Sequence, residues 1–74
     1  MAYYVYENWQ AGPHKAIIHI GACGFCNYGA GMAGGYDPAH ASWHGAYSTL
    51  QAAEAASVAL VGVTERRIHR CART

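Results

Sequence analysis

The chain carries little charge. Nine of its 74 residues are Asp, Glu, Lys or Arg, 12% of the total, where about 25% is usual in soluble domains. The net charge is +1, so no global field points to nucleic acid, a membrane surface or a basic partner. Large aliphatic side chains are scarce too. Leu, Ile, Val and Phe number eleven, and the 53% hydrophobic content leans on fifteen Ala. No apolar run approaches the roughly 18 residues that mark a membrane span. The opening Met-Ala-Tyr-Tyr-Val-Tyr has neither a basic stretch nor an apolar core, so no signal peptide is expected. No internal repeat is visible. These shortages exclude a highly charged disordered chain, a coiled coil and an acidic DNA mimic.

Six Tyr and two Trp must therefore supply much of the buried area. At 74 residues the chain makes one small domain. A domain of this size buries only about 60% of its unfolded surface. Such domains often add a disulfide, a metal or a partner subunit. The three Cys, an odd number, do not complete a disulfide framework. A reducing, cytoplasmic setting is expected, where thiols more often serve metal. With so few charges, Ala, Gly, Tyr and His must cover the surface. That favours a protein partner or a homo-oligomer.

The element pattern predicts an α+β fold: a small antiparallel sheet with one helix packed on one face, in chain order β-β-β-α-β, with a long Gly-rich loop. Residues 3–9 read as a first strand, rich in Tyr and ending at Trp9. A Gly-Pro turn leads to a second strand over 15–20, with Ala16, Ile18 and Ile20 on one face and Lys15, Ile17 and His19 on the other. Residues 21–40 hold six Gly and form the loop, which something must pin. Residues 42–47 read as a short third strand. Ser48-Thr-Leu-Gln51 fits a capping box, with Ser48 as N-cap and Gln51 three positions on. The helix then runs to Leu60 or Val61, with Gly62 as a left-handed C-cap and Leu50, Ala53, Ser57, Leu60 and Val61 on its inner stripe. Residues 63–71 read as the last strand.

His19, Cys23 and Cys26 form His-x3-Cys-x2-Cys at the end of the second strand. A Cys-x2-Cys turn lets two thiolates reach one zinc from a single bend. If strands two and four run parallel, Cys71 and His69 end beside it. The expected ligand set is then Cys23, Cys26 and Cys71 with one of His19, His44 or His69. Two other readings stay open: space-filling thiols, or a Cys23–Cys26 disulfide. The Cys-Gly-Phe-Cys spacing also matches a thioredoxin pair, but no helix starts there to lower a thiol pKa. Gly29-Ala-Gly31-Met-Ala-Gly34 matches a dinucleotide fingerprint without the strand and helix it needs. With four acidic residues and little volume for a substrate pocket, no enzyme is expected.

The C-terminal segment gathers Arg66, Arg67, Arg70 and Arg73. On a strand these split over both faces, which fits a solvated edge better than a nucleic-acid stripe. The leading expectation is a non-catalytic protein-binding module acting stoichiometrically, as an adaptor or small inhibitor of the phage or mobile-element type. Its expected contacts are Tyr3, Tyr6, Trp9, Tyr28, Tyr36 and Trp43. The alternative is a zinc-stabilised domain that touches nucleic acid through the Arg cluster.

From His19 onward the chain resembles a family of small, mostly uncharacterised bacterial proteins. The residues that carry the resemblance are His19, Cys23-Gly-Phe-Cys26-Asn27, Gly29-x-Gly31, Trp43-His44-Gly45, the Ala-rich helix and Cys71, together with the opening Tyr-Tyr-Val-Tyr-Glu-Asn-Trp. That pattern implies Trp-His-Gly-Pro-Phe and a closing Cys-x2-Cys. Here Ala46-Tyr47 replaces Pro-Phe, and Thr74 stands at the fourth thiol. The resemblance implies a metal site in which either a His replaces the missing thiol or the metal has been lost. It carries over no catalytic residue.

Overall fold

A computed structural model describes residues 2–9, 14–23, 26 and 41–72. In chain order the elements are β1 (Tyr3–Asn8), β2 (Lys15–Ile20), β3 (Ala41–Tyr47), α1 (Leu50–Ala59) and β4 (Glu65–Ile68), followed by a 3-10 turn, Arg70–Ala72. The class is α+β and the chain order is the expected one.

The strands form one sheet in the spatial order β3-β1-β2-β4. β1 pairs antiparallel with β2, Val5 opposite Ile18 and Glu7 opposite Ala16. β1 also pairs antiparallel with β3, Tyr6 opposite Trp43, with a register shift between Tyr3 and Val5. The sheet is mixed rather than wholly antiparallel, because β4 runs parallel to β2, Ile18 opposite Ile68. Parallel neighbours need a long crossover, and β3 with α1 provides it.

The alternation of β1 and β2 decides where the core forms. Val5, Ala16 and Ile18 are buried on the face that receives Ala53 of α1, with Val63 and Ala72 beside them. Tyr3, Ile20, Tyr47, Leu50, Leu60, Ile68 and Cys71 pack around this centre. Ala16 and Ala53 are both fully buried. Two methyl-sized side chains at the crossing let the helix sit close to the sheet.

The helix starts one residue later than the capping box predicts. Thr49, not Ser48, is the N-cap, and its side chain accepts from the Ala52 N–H at 3.0 Å. That places Gln51 at the second helical position, where it cannot reach back. The helix closes at Leu60, whose N–H bonds the Ser57 carbonyl. Gly62 does take a positive φ of 86°, but in the turn beyond the cap. Val61 is 92% exposed and lies off the inner stripe. Arg66 reaches from β4 to the open end of the helix. Its Nε donates to the Ser57 carbonyl at 2.9 Å, and Nη2 lies 3.4 Å from the carbonyls of Val58 and Leu60. A cation there complements the negative end of the helix and adds a donor to its last carbonyls.

β4 is shorter than predicted. Its ladder to β2 ends where the His69 N–H donates to the Ile18 carbonyl at 2.9 Å. The chain then turns, Ala72 N–H to His69 carbonyl at 2.9 Å, and the 3-10 turn brings Cys71 back toward β2.

Candidate metal centre

Because β2 and β4 are parallel, their C-terminal ends lie side by side. His19 is the penultimate residue of β2. A turn follows directly, with the Cys23 N–H donating to the Ile20 carbonyl at 3.1 Å. The turn folds Cys23 back over the strand end. Just past the end of β4, His69 donates the last bond to β2 and Cys71 sits within the 3-10 turn. The Cys71 Sγ accepts from the Ile20 N–H at 3.3 Å and lies 3.8 Å from His19 Nδ1. The His19 and His69 rings stack with centroids 4.4 Å apart.

The outcome is a four-residue group. One ligand atom from each of His19, Cys23, His69 and Cys71 lies within 4.8 Å of all the others. Two thiols and two imidazoles at this spacing could bind a metal such as zinc, which takes tetrahedral sulfur and nitrogen ligands. The set differs from the expected three Cys and one His. Cys26 is fully buried and lies outside the group, one turn further on, its N–H on the Cys23 carbonyl at 2.9 Å. None of the three Cys is in a disulfide.

The protonation states suit a metal. His19 is 5% exposed. Burial, with the neighbouring His69 charge, pushes its pKa down to about 4, so its imidazole is neutral near pH 7 with a lone pair to offer. Burial raises the Cys71 thiol; the Ile20 N–H opposes this, while Cys23 and Cys26 add to it. A metal must therefore expel a proton from Cys71 as it binds.

Trp43 backs the site. Its ring lies edge-on to His19 at 5.4 Å and tilts against Tyr6 at 4.8 Å. Its buried indole N–H meets no acceptor among the described residues. His44, an expected alternative ligand, is committed elsewhere. Its Nε2 bonds one oxygen of Glu7 at 2.8 Å, and His14 Nε2 bonds the other at 2.7 Å. This second cluster was not anticipated from the sequence. The signal was available: Tyr3, Val5 and Glu7 share a face, and an acid on a core face needs partners. Burial alone would raise the Glu7 carboxyl, but the hydrogen bonds and charges of His44 and His14 prevail and hold it low.

The expected partner contacts disperse. Tyr3 packs on the core. Tyr6 is half-buried and receives the Asn8 side-chain N–H at 3.0 Å. Trp43 is half-buried, and Trp9 alone of the six is exposed among the described residues, at 40%. Tyr28 and Tyr36 lie outside the described residues. The arginines do not converge either. Arg66 caps the helix, Arg67 pairs with Glu65 at 3.2 Å, Arg70 is exposed, and Arg73 lies outside the described residues. No described helix is long and apolar enough to cross a membrane.

No protein-family model matches the chain, and no curated protein or solved structure is similar enough to count as a match. The functional reading therefore rests on the geometry.

Proposed function

We propose that this chain is a small non-catalytic domain closed by one zinc ion, held by His19, Cys23, His69 and Cys71. The observation that carries the reading is the convergence of these four donors from two distant parts of the chain. Four protein ligands fill a tetrahedral shell and leave no open position for a substrate or activated water, which is the pattern of a structural site. The energetic need is plain. The core centres on Val5, Ile18 and a few Ala, a thin foundation for a stable fold. Structural zinc supplies about 10–16 kcal/mol of apparent binding energy at pH 7 in small peptides, and that energy is also folding energy.

On this reading the metal ties the C-terminal turn to the end of β2, and the rest of the surface is available to a protein partner. Among the described residues, Trp9, Val58 and Val61 are the exposed large apolar side chains, consistent with a stoichiometric binding module or a homo-oligomer. The nucleic-acid alternative is the weaker one, because Arg66 is engaged at the helix end and Arg67 with Glu65.

Native mass spectrometry of untagged protein tests the proposal. One zinc per chain, lost on denaturation and removed by a chelator together with the fold, supports it. A folded chain that takes up no zinc overturns it.

A further inference from the structure

We propose that the metal centre is also a peroxide-sensitive switch: a hydroperoxide joins Cys23 to Cys71 as a disulfide and ejects the metal while the fold persists. The inference rests on the zinc reading above. Three features carry it.

The two sulfur ligands adjoin, with Sγ atoms no more than 4.8 Å apart. A disulfide requires about 2.05 Å, so closure asks for a small movement. Cys23 sits in a turn and Cys71 in a 3-10 turn, not within the sheet ladder, so each can supply part of it. Second, access is selective. Cys23 and Cys71 are partly exposed, whereas Cys26 has no exposed surface. A small oxidant therefore reaches the ligand pair and not the third thiol. Third, the bond reproduces the connection the metal makes. It joins the end of β2 to the turn after β4, and the Ile20 N–H still faces the Cys71 sulfur. The two imidazoles that remain are too few to retain zinc.

The chemistry balances. One thiolate attacks the peroxide oxygen, the O–O bond breaks, and a sulfenic acid forms with release of one water. The second thiolate attacks that sulfur and displaces the oxygen as a second water. Two thiolates, one hydrogen peroxide and two protons give one disulfide and two waters, and zinc leaves as Zn2+.

The test begins with protein whose single zinc per chain has been verified by native mass, treated with one equivalent of hydrogen peroxide. The expected result is one zinc per chain delivered to a chromogenic chelator, a mass lower by two hydrogens after zinc loss, and a digest fragment linking Cys23 to Cys71. Cys26 should remain a thiol, far-UV circular dichroism should be retained, and reductant with zinc should reverse the change. Cys26→Ser should release zinc in the same way. A Cys23–Cys26 link, zinc release with only over-oxidised thiols, or zinc retained in excess peroxide would each overturn the switch while leaving the zinc reading intact. A folded chain with no zinc at the outset overturns both.

Discussion

The backbone N–H of Ile20 donates to the sulfur of Cys71 at 3.3 Å, across 51 positions of sequence. This contact, together with the parallel pairing of β2 and β4, places the second half of the metal centre on the first. A thiolate accepting a backbone N–H is oriented as well as stabilised. Cys71→Ser should therefore lose zinc and at least about 3 kcal/mol of stability, a fall of more than about 10 °C in Tm. Cys26→Ser should keep its zinc, because Cys26 lies outside the ligand group. Paired metal analysis and thermal melts of the two variants check this. Equal zinc loss in both would mean that Cys26 belongs to the shell.

The lowered His19 pKa fixes a direction for the pH dependence. The ordinary value of 6.5 falls to about 4 in the folded chain. Between those values the unfolded chain holds a proton that the folded chain does not, so stability falls as pH drops through that window. The full effect is of order 3 kcal/mol. Zinc on His19 keeps the same sign, since protons then compete with the metal. Urea midpoints of the zinc-loaded protein should decline from pH 6.5 to 4. A flat profile would contradict the buried, neutral imidazole.

Glu7 acts in a different window and at a different place. It ties β3 through His44 and the start of β2 through His14, and the His14 carbonyl in turn accepts from the N–H groups of Thr64 and Glu65 where β4 begins. Its carboxyl is held below its ordinary value of 4.5. Its contribution is therefore complete above that value and is lost as pH falls through the lowered folded value. Glu7→Gln removes the charge at neutral pH and should cost about 2 kcal/mol, the scale of hydrogen bonds to a charged group. Zinc stoichiometry should stay unchanged, because His14 and His44 are not ligands. Lost zinc in Glu7→Gln would show that the two clusters are coupled.

Arg66 gives a discriminating variant. Its guanidinium sits on the last carbonyls of α1, so Arg66→Ala should lower stability by about 1 kcal/mol. If the C-terminal arginines instead formed a nucleic-acid surface, Arg66→Ala would weaken salt-sensitive binding with little change in Tm.

Strand periodicity made much of this legible. Ala16, Ile18 and Ile20 against Lys15, Ile17 and His19 set β2, its inner face and the side that carries His19. Sequence places Cys71 and His69 beside Cys23 only on the condition that strands two and four run parallel, which a wholly antiparallel sheet would not meet and the mixed sheet does. The ligand count was less legible, because the Cys-x2-Cys spacing says that both thiols can reach one ion but not that both do. Here the turn buries Cys26 and leaves a second imidazole to complete the group. The cap shift from Ser48 to Thr49 is a one-residue competition between neighbouring hydroxyls, which local pattern does not decide. The alternation of β1 shows that Glu7 needs partners, but which ones depends on a register between β1 and β3 that no short-range signal encodes.

Trp43-His44-Gly45 shows how one short motif divides its work. Trp43 packs on His19, His44 bonds Glu7, and Gly45 lets β3 approach β1 where the register shifts. Gly45 has φ 139°, and a Cβ there would lie 2.8 Å from Tyr4 Cδ2 and 3.0 Å from the Tyr3 carbonyl oxygen. The clash involves backbone as well as a ring, so side-chain rotation cannot relieve all of it. Added to the backbone strain of a side chain at that φ, about 1–3 kcal/mol, Gly45→Ala should destabilise the domain by about 2–4 kcal/mol. The loss should appear at the β1–β3 edge first. Amide exchange of β3 should accelerate more than that of β2 and β4, while zinc stays bound, because all four ligands sit at the ends of β2 and β4 or in the turns that follow, and β3 touches the centre only through Trp43 on His19. Uniform acceleration together with zinc loss would show instead that the β3 edge and the metal centre unfold as one unit.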